Sequence, residues 1–414
     1  MAIATKNAEV LSPTDESDVA EAIRSAHDAR QPIFPAGGRT SLDFGGIIPP
    51  AGQQLDLTAL SRVVDYTPRD MTIVVEAGIR MADLTATLAA EQQQLPIDVP
   101  RAAEATLGGV TATNWTGPRR LGHGTMRDYV IGIHAVDGRG VAFKGGGRVV
   151  KNVAGYDFCK LLTGSFGTLG VITQLALKVK PLSERSATVV ATCHELAVAE
   201  AILERLVNLT ATPTTIDLLV GSAWHQEALP GNDNRAATLV VRIEGTDDEV
   251  KWMAEHTQYE FWQGGASGAQ LLSDSDADRL WSHQVEFADR GATTKHDEVS
   301  LVLKIAVPPS AVTATIADLR SHDPACTIQA HAASGIIIAR FANFAATEVS
   351  SVLVGKLRPA AVARGGSLVV LASKLEGLTP HIIWAGRTDA TVLMERIKRQ
   401  FDPQNILNPG RFVY

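Results

Sequence analysis

Between Gly145 and Lys180 the chain reads GGGRVVKNVAGYDFCKLLTGSFGTLGVITQLALKVK, and this stretch constrains the fold more than any other. Gly145, Gly146 and Gly147 stand in a row, and Gly155, Gly164, Gly167 and Gly170 follow. Glycine costs conformational entropy on folding, so this density marks backbone that turns sharply or lies directly against something. From Val171 to Lys180 apolar and polar residues alternate with many β-branched side chains, which predicts a strand with one face buried. A glycine loop feeding such a strand suits a flat or charged ligand held by main chain. A tight turn between two core elements accounts for this stretch alone equally well.

Further glycine segments lie upstream. Ser12-Pro13-Thr14 opens a helix expected over 15–29, with Val19, Ala22, Ile23 and Ala26 on one face. A short strand at Pro32-Ile33-Phe34 runs into Pro35-Ala36-Gly37-Gly38-Arg39-Thr40-Ser41-Leu42. A strand ending in two glycines and two hydroxyl residues makes a diphosphate cradle, because N–H groups converge on the oxygens and the hydroxyls add donors. No Lys follows these glycines as in a Walker loop, and G-x-G-x-x-G occurs nowhere in the chain. A strand over 71–77 and a helix over 82–94 follow. Then Pro100 to Gly132 carries Thr106-Leu107-Gly108-Gly109, Thr113-Asn114, Gly117, Gly122 and Gly124. A strand over 130–136 turns at Asp137-Gly138-Arg139-Gly140, a hairpin signal, and returns at Val141-Ala142-Phe143. Three such segments in succession point to a large ligand lined by backbone, such as a nucleotide with a diphosphate and a ring system.

The length of 414 residues suggests two or three domains, and 45% apolar with 20% charged residues is an ordinary soluble composition. The net charge of -7 is spread without a basic block, which argues against nucleic acid. No run is long and apolar enough for a spanning helix, and residues 1–18 lack the apolar core of a signal peptide. Cys159, Cys193 and Cys326 form no metal or redox pattern. A cytoplasmic setting is expected, with any membrane association peripheral and through a complex.

The segments Pro35–Leu42, Thr106–Gly132 and Gly145–Ile172 resemble the three FAD-contacting stretches of the flavin-binding domain shared by vanillyl-alcohol oxidase, p-cresol methylhydroxylase and the FAD-linked D-2-hydroxyacid dehydrogenases. Phe401-Asp402-Pro403-Gln404-Asn405-Ile406-Leu407-Asn408-Pro409-Gly410-Arg411-Phe412 resembles the closing motif of the FAD-linked oxidase branch. Gly146–Thr173 and Gly117–Gly132 resemble more narrowly the FAD-binding E subunits of bacterial glycolate oxidases. The resemblance covers residues 10 to 182 well, is patchy to 380, and resumes at the end. It implies an α+β fold: a two-subdomain flavin-binding domain of the p-cresol methylhydroxylase type over 1–182, then an α+β domain with an antiparallel sheet covered by helices over 183–414, with 400–414 packing back. It also implies that Ala36, Gly37, Gly38, Arg39, Thr40 and Ser41 hold the FAD pyrophosphate. Thr106, Leu107, Gly108 and Gly109 pass beside the flavin and ribityl chain, with Thr113, Asn114 and Gly117 on the same wall. Gly167, Thr168, Gly170, Val171 and Ile172 face adenine, ribose and isoalloxazine. Arg119, Arg120 and Arg127 could add charge near phosphate or a substrate carboxylate.

Departures from the family pattern bear on chemistry. Some relatives tether FAD through a His just after the pyrophosphate glycines; Arg39 stands there, which implies non-covalent FAD. His123 replaces a usual Tyr and is a candidate base. Hydroxyacid dehydrogenase relatives bind a metal through two His on one strand and an acidic residue. Here His331 begins HAASGIIIARF, but Ile338 stands seven residues on, and the end reads His381-Ile382-Ile383-Trp384 where a Glu-His pair is expected. No metal site is expected, and His123 and His331 are the weak catalytic candidates. Over 183–414, strands are expected at 189–191, 216–220, 239–243, 301–307 and 336–341, and helices at 196–209, 249–258, 311–319 and 391–401, with Arg242 or Trp281 able to reach a substrate. The resemblance implies an FAD subunit of a glycolate (2-hydroxyacid) dehydrogenase, oxidising glycolate to glyoxylate with a sister FAD-linked catalytic subunit and an iron–sulfur subunit. The alternatives are a stand-alone FAD oxidase and a flavin-bearing structural subunit.

Overall fold

The computed structural model describes residues 9–45, 52–147, 155–210, 212–224, 237–289, 299–386 and 388–412. Part of the glycine stretch that opens the sequence argument, 148–154, lies outside them. The chain forms two compact units: Met1–Thr116, Thr125–Leu182 and Leu378–Tyr414 in one, Gly117–Gly124 and Ser183–Gly377 in the other. The second unit therefore does not extend to 414 as a single split at 182/183 would have it. The whole stretch from Leu378 groups with the first unit, and Gly117–Gly124 groups with the second, where the Gly122 N–H donates to Thr214 O at 3.1 Å.

In the first unit, helix Glu16–Ala29 starts where the Asp15 carboxylate accepts from the Asp18 N–H and ends at Arg30 in the left-handed region; Val19, Ala20, Ile23 and Ala26 are its buried face. Strand Ile33–Ala36 pairs in parallel with Gln53–Asp56, which pairs in parallel with Val10–Leu11. A five-stranded antiparallel sheet carries, in order, Val63–Thr67, Thr72–Glu76, Val171–Lys178, Val130–Val136 and Ala142–Gly146. The strand that follows the glycine stretch is thus the central one, and its alternation misleads. Val171, Ile172, Thr173, Leu175, Ala176 and Leu177 are all buried, because the sheet is covered on both faces. The helix expected over 82–94 is shorter, Met81–Ala89, since Gln92 turns left-handed (φ 55°) and Gln93–Gln94 pairs with Lys180–Pro181.

In the second unit eight antiparallel strands run in the order Ser267–Leu271, Arg185–Cys193, Ala237–Gly245, Thr215–Val220, Thr327–His331, Ile336–Phe341, Leu301–Ala306 and Ser367–Ser373. Cross-strand partners share a face. One face is apolar across its centre: Leu303 lies opposite Ala339, Ala339 opposite Ile328, and Leu218 opposite both Ala330 and Leu239. Helices Leu196–Val207, Asp247–Gln263, Val312–His322 and Arg358–Ala363 pack on this sheet, which matches the expected α+β layering. The alternate positions carry Asp217, His331, Gln329, Arg242, Glu244, Arg340 and Lys304, and helix Asp274–Glu286 lies against this polar face through Gln284 and Trp281. The sequence reading had missed that helix, the strand Thr327–His331 and the edge strand Ser367–Ser373.

Candidate functional site

The first unit contains an open cleft of about 110 Å³. Three backbone segments meet in it: Pro35–Leu42 after the strand Ile33–Ala36, Thr106–Thr113 at and within helix Leu107–Thr113, and Phe166–Ile172 leading into the central strand. Of the residues the sequence assigned to the cofactor, Ala36, Gly37, Gly38, Arg39, Thr40, Ser41, Thr106, Gly108, Gly109, Thr113, Gly167, Gly170, Val171 and Ile172 line it. Four do not. Leu107 points into the core and is fully buried. Asn114 caps the helix in the left-handed region (φ 48°). Gly117 belongs to the second unit, and the buried Thr168 hydroxyl donates back to Ser165 O at 2.6 Å. The lining the sequence reading missed includes Leu57, Ala77, Phe166, Asn408 and Arg411.

Two kinds of glycine build this wall. A Cβ on Gly38 would sit 1.7 Å from Glu104 O and one on Gly37 2.0 Å from Thr106 Oγ1, so these glycines let two protein segments touch. A Cβ on Gly109 would meet only Thr106 Oγ1, at 3.3 Å, and otherwise point into the cleft. Where the first segment turns, Arg39 takes a positive φ of 59° and reaches Asp56 at 3.0 Å. Past Gly37, the N–H groups of Gly38, Arg39, Thr40 and Ser41 have no acceptor among the described residues. A run of unengaged amides on a turn is an anion nest.

The C-terminal motif closes the cleft from below. Asp402 accepts from the Ile406 and Leu407 N–H groups and from Lys398 Nζ at 2.6 Å, while Lys398 also donates to Thr168 O at 2.8 Å. Burial pushes the Lys398 amine down, opposed by Asp402. Asn408 Nδ2 donates to Phe166 O at 2.8 Å, and the buried Asn408 Oδ1 has no partner. Arg411 Nη1 donates to Leu42 O and Phe44 O, both at 2.6 Å. Phe166, Trp384 and Phe412 stack beside it, with centroids 4.7 to 5.7 Å apart. The cradle of free amides, the glycine open to the cleft, the orphaned Asn408 oxygen and a buried cation fit a dinucleotide with a diphosphate.

Both catalytic candidates lie in the second unit and are engaged. His123 Nε2 is 3.1 Å from Glu244 Oε2, and Arg242 Nε reaches Glu244 Oε1 at 3.1 Å, with Arg119 at 3.5 Å. Burial raises the Glu244 carboxyl, but His123, Arg119 and Arg242 together bring it down to about 2. Trp281 lies under the Arg242 guanidinium, 4.4 Å away. His331 Nδ1 is 2.8 Å from Asp217 Oδ1, and Gln284 and Gln329 donate to Asp217 Oδ2 at 2.7 and 3.0 Å. Lys304 forms no ion pair among the described residues; burial, then Arg120, lowers its amine. No group of three or more His, Cys, Asp or Glu among the described residues is placed to hold a metal ion. Likewise, no helix of the described residues is long and apolar enough to cross a membrane.

Residues 8–146 match the FAD binding domain, and residues 184–369 with 385–412 match the C-terminal domain of FAD linked oxidases. The chain belongs to the FAD-linked oxidase family. It is an oxidoreductase whose cofactor is FAD. It is 27% identical over 426 residues to the mitochondrial D-lactate dehydrogenase [cytochrome] of Arabidopsis thaliana, covering 98% of this chain and 73% of that one. It is 31% identical over 254 residues to glycolate oxidase subunit GlcE of Escherichia coli K12, covering 59% of this chain and 66% of the relative. It is 23% identical over 416 residues to glycolate oxidase subunit GlcD of Bacillus subtilis, covering 97% and 88%. Among solved structures, an alkyldihydroxyacetonephosphate synthase superposes with a TM-score of 0.68 at 15% identity, over 97% of this chain and 76% of that one, a likeness of fold alone.

Proposed function

We propose that this chain is the FAD-binding subunit of a glycolate (2-hydroxyacid) dehydrogenase complex, completed by a sister FAD-linked subunit and an iron–sulfur subunit. One observation carries the reading: His331 is tied to Asp217, and Ile338, not His, stands seven residues on, so the paired His of the hydroxyacid dehydrogenase relatives is missing from this strand. The local resemblance to the glycolate oxidase E subunits, together with 31% identity to GlcE, supports it. FAD, when bound, supplies a two-electron acceptor that passes electrons on singly. The chain's own residues bind and orient it: Gly38 to Ser41 offer amides, Gly109 leaves room along the helix, and Asn408 offers an acceptor. Arg39 at the turn carries no nucleophile for a flavin methyl group, so the FAD is non-covalent. The three cysteines are buried and far apart in sequence, and burial raises the Cys159 and Cys193 thiols to about 11 and about 12, so an iron–sulfur centre resides on another chain.

Anaerobic mixing of the isolated, FAD-loaded chain with millimolar glycolate or D-lactate tests this reading, with flavin bleaching as the signal. Reduction is expected to be slower than in the reassembled complex by at least about a hundredfold, the contribution of one placed acid–base group. Rapid bleaching by the chain alone would replace the subunit with a stand-alone oxidase. Flavin left on the precipitated protein after denaturation would refute non-covalent binding.

A further inference from the structure

We propose that Arg411 is the charge anchor for the diphosphate of the bound dinucleotide, the side-chain counterpart of the amides of Gly38 to Ser41. The inference rests on reading the cleft as the flavin site. Among the described residues lining it only Arg39 and Arg411 are charged, and none of them is a carboxylate. Arg39 is half exposed and already paired with Asp56. Arg411 is in the opposite situation: it is 5% exposed, and no carboxylate lies within 4.0 Å of it among the described residues. Its Nη1 is spent on Leu42 O and Phe44 O, and its Nε and Nη2 have no acceptor among the described residues. Burial pulls the guanidinium down to about 10, which Asp43 opposes from a distance.

A buried cation without a counter-ion is costly, and two carbonyls solvate only one edge of it. The unused edge is a planar fork of N–H donors, the shape that matches two oxygens of a phosphate. Its position selects the ligand group. Arg411 grips the backbone at Leu42 and Phe44, and the unengaged amides belong to the residues just before, so guanidinium and nest serve one stretch of one turn. A diphosphate brings two negative charges to that stretch; a single carboxylate would leave most of the nest unused.

The test compares wild type, R411Q and R411K as full chains stripped of flavin, measuring affinity for FAD and for riboflavin, which lacks phosphate, and the rise in Tm with inorganic pyrophosphate. R411Q is expected to weaken FAD by about 10- to 100-fold, the range for a charge-assisted bond, and riboflavin by less than about threefold. R411K, which keeps the charge and loses the fork, should fall between wild type and R411Q. Pyrophosphate should raise the Tm of wild type and not of R411Q. Equal loss of FAD and riboflavin in R411Q would reduce Arg411 to a brace for the turn, and unchanged FAD affinity would remove it from binding altogether. Should R411Q fail to fold, R411K decides: an FAD-over-riboflavin preference equal to wild type's would overturn the proposal. If wild type takes up no FAD, the flavin reading of the cleft fails. The pyrophosphate arm still judges Arg411, and no stabilisation of wild type by pyrophosphate would sink the anchor.

Discussion

The cleft of the first unit and the polar face of the second unit's sheet both concentrate groups that dislike burial, and they treat them in opposite ways. On the sheet, Glu244 is held by His123, Arg119 and Arg242, and Asp217 by His331, Gln284 and Gln329. The demands of both carboxylates are met from within the chain. In the cleft, a run of amides, the Asn408 oxygen, and the Arg411 Nε and Nη2 are left without partners among the described residues. Buried polar groups are normally satisfied, so a cluster of exceptions marks where something else is meant to sit. On this criterion the cleft is the candidate binding site; on the sheet face both carboxylates are satisfied, while the Thr215 hydroxyl has no partner and Lys304 forms no ion pair among the described residues.

The contrast can be broken first at the glycines. Gly38→Val places a side chain 1.7 Å from a backbone oxygen, so the first unit should fail to form, with insoluble protein or a Tm lower by more than about 10 °C. Gly109→Val meets only one side-chain oxygen, at 3.3 Å. The flavin-free Tm should stay within about 3 °C of wild type while flavin absorbance per mole of protein is lost. Matching behaviour of the two variants in both assays would erase the distinction between packing glycines and ligand-facing ones.

A second test removes the centre of a closed network. Asp217→Ala strands His331, Gln284 and Gln329 in a buried site and should cost about 3–5 kcal/mol in denaturant unfolding, with flavin content at 25 °C unchanged. Flavin loss at unchanged stability would make the polar face a binding surface.

The smallest expected effect is a dependence on pH. The Glu244 carboxyl is held at about 2 in the folded chain against 4.5 for the free group. A depressed carboxylate stabilises above its unfolded pKa, and the gain disappears as pH falls through the folded one. The stability gap between wild type and Glu244→Gln should therefore be about 3 kcal/mol at pH 6–7, narrow below pH 4.5, and close near pH 2. A gap that stays level across this range would show that the carboxylate's charge is not what holds the cluster.

Local patterns carried much of this architecture. The amphipathic spacing of Val19, Ile23 and Ala26, the strand Val130–Val136 and the glycine turn at Gly37-Gly38 lie in the structure where periodicity and turn chemistry put them, whereas Gly108-Gly109, expected in a loop, opens helix Leu107–Thr113. What the sequence hid is what depends on distant pairing. Arg411 reaches Leu42 across 369 positions and His331 finds Asp217 across 114, and neither residue's neighbours announce its partner. Burial on both faces of Val171–Lys178 was equally hidden, because two of its three polar positions do not point to open solvent: Thr173 donates to Glu16 at 2.5 Å and Gln174 is half-buried, leaving only Lys178 exposed. The C-terminal motif was legible as a family signature, yet its job of joining the Phe166 and Leu42 sides of the cleft was not.

That job has a consequence for the order of events during synthesis. A nascent chain that has emerged as far as Gly377 already contains every residue of the second unit, while the first is still short of Asp402, Asn408 and Arg411. The earliest segments off the ribosome thus wait longest for their last neighbours, against the usual sequence in which N-terminal domains finish first. A polypeptide stalled anywhere upstream of Asn408 and Arg411 therefore carries a cleft that lacks part of its wall.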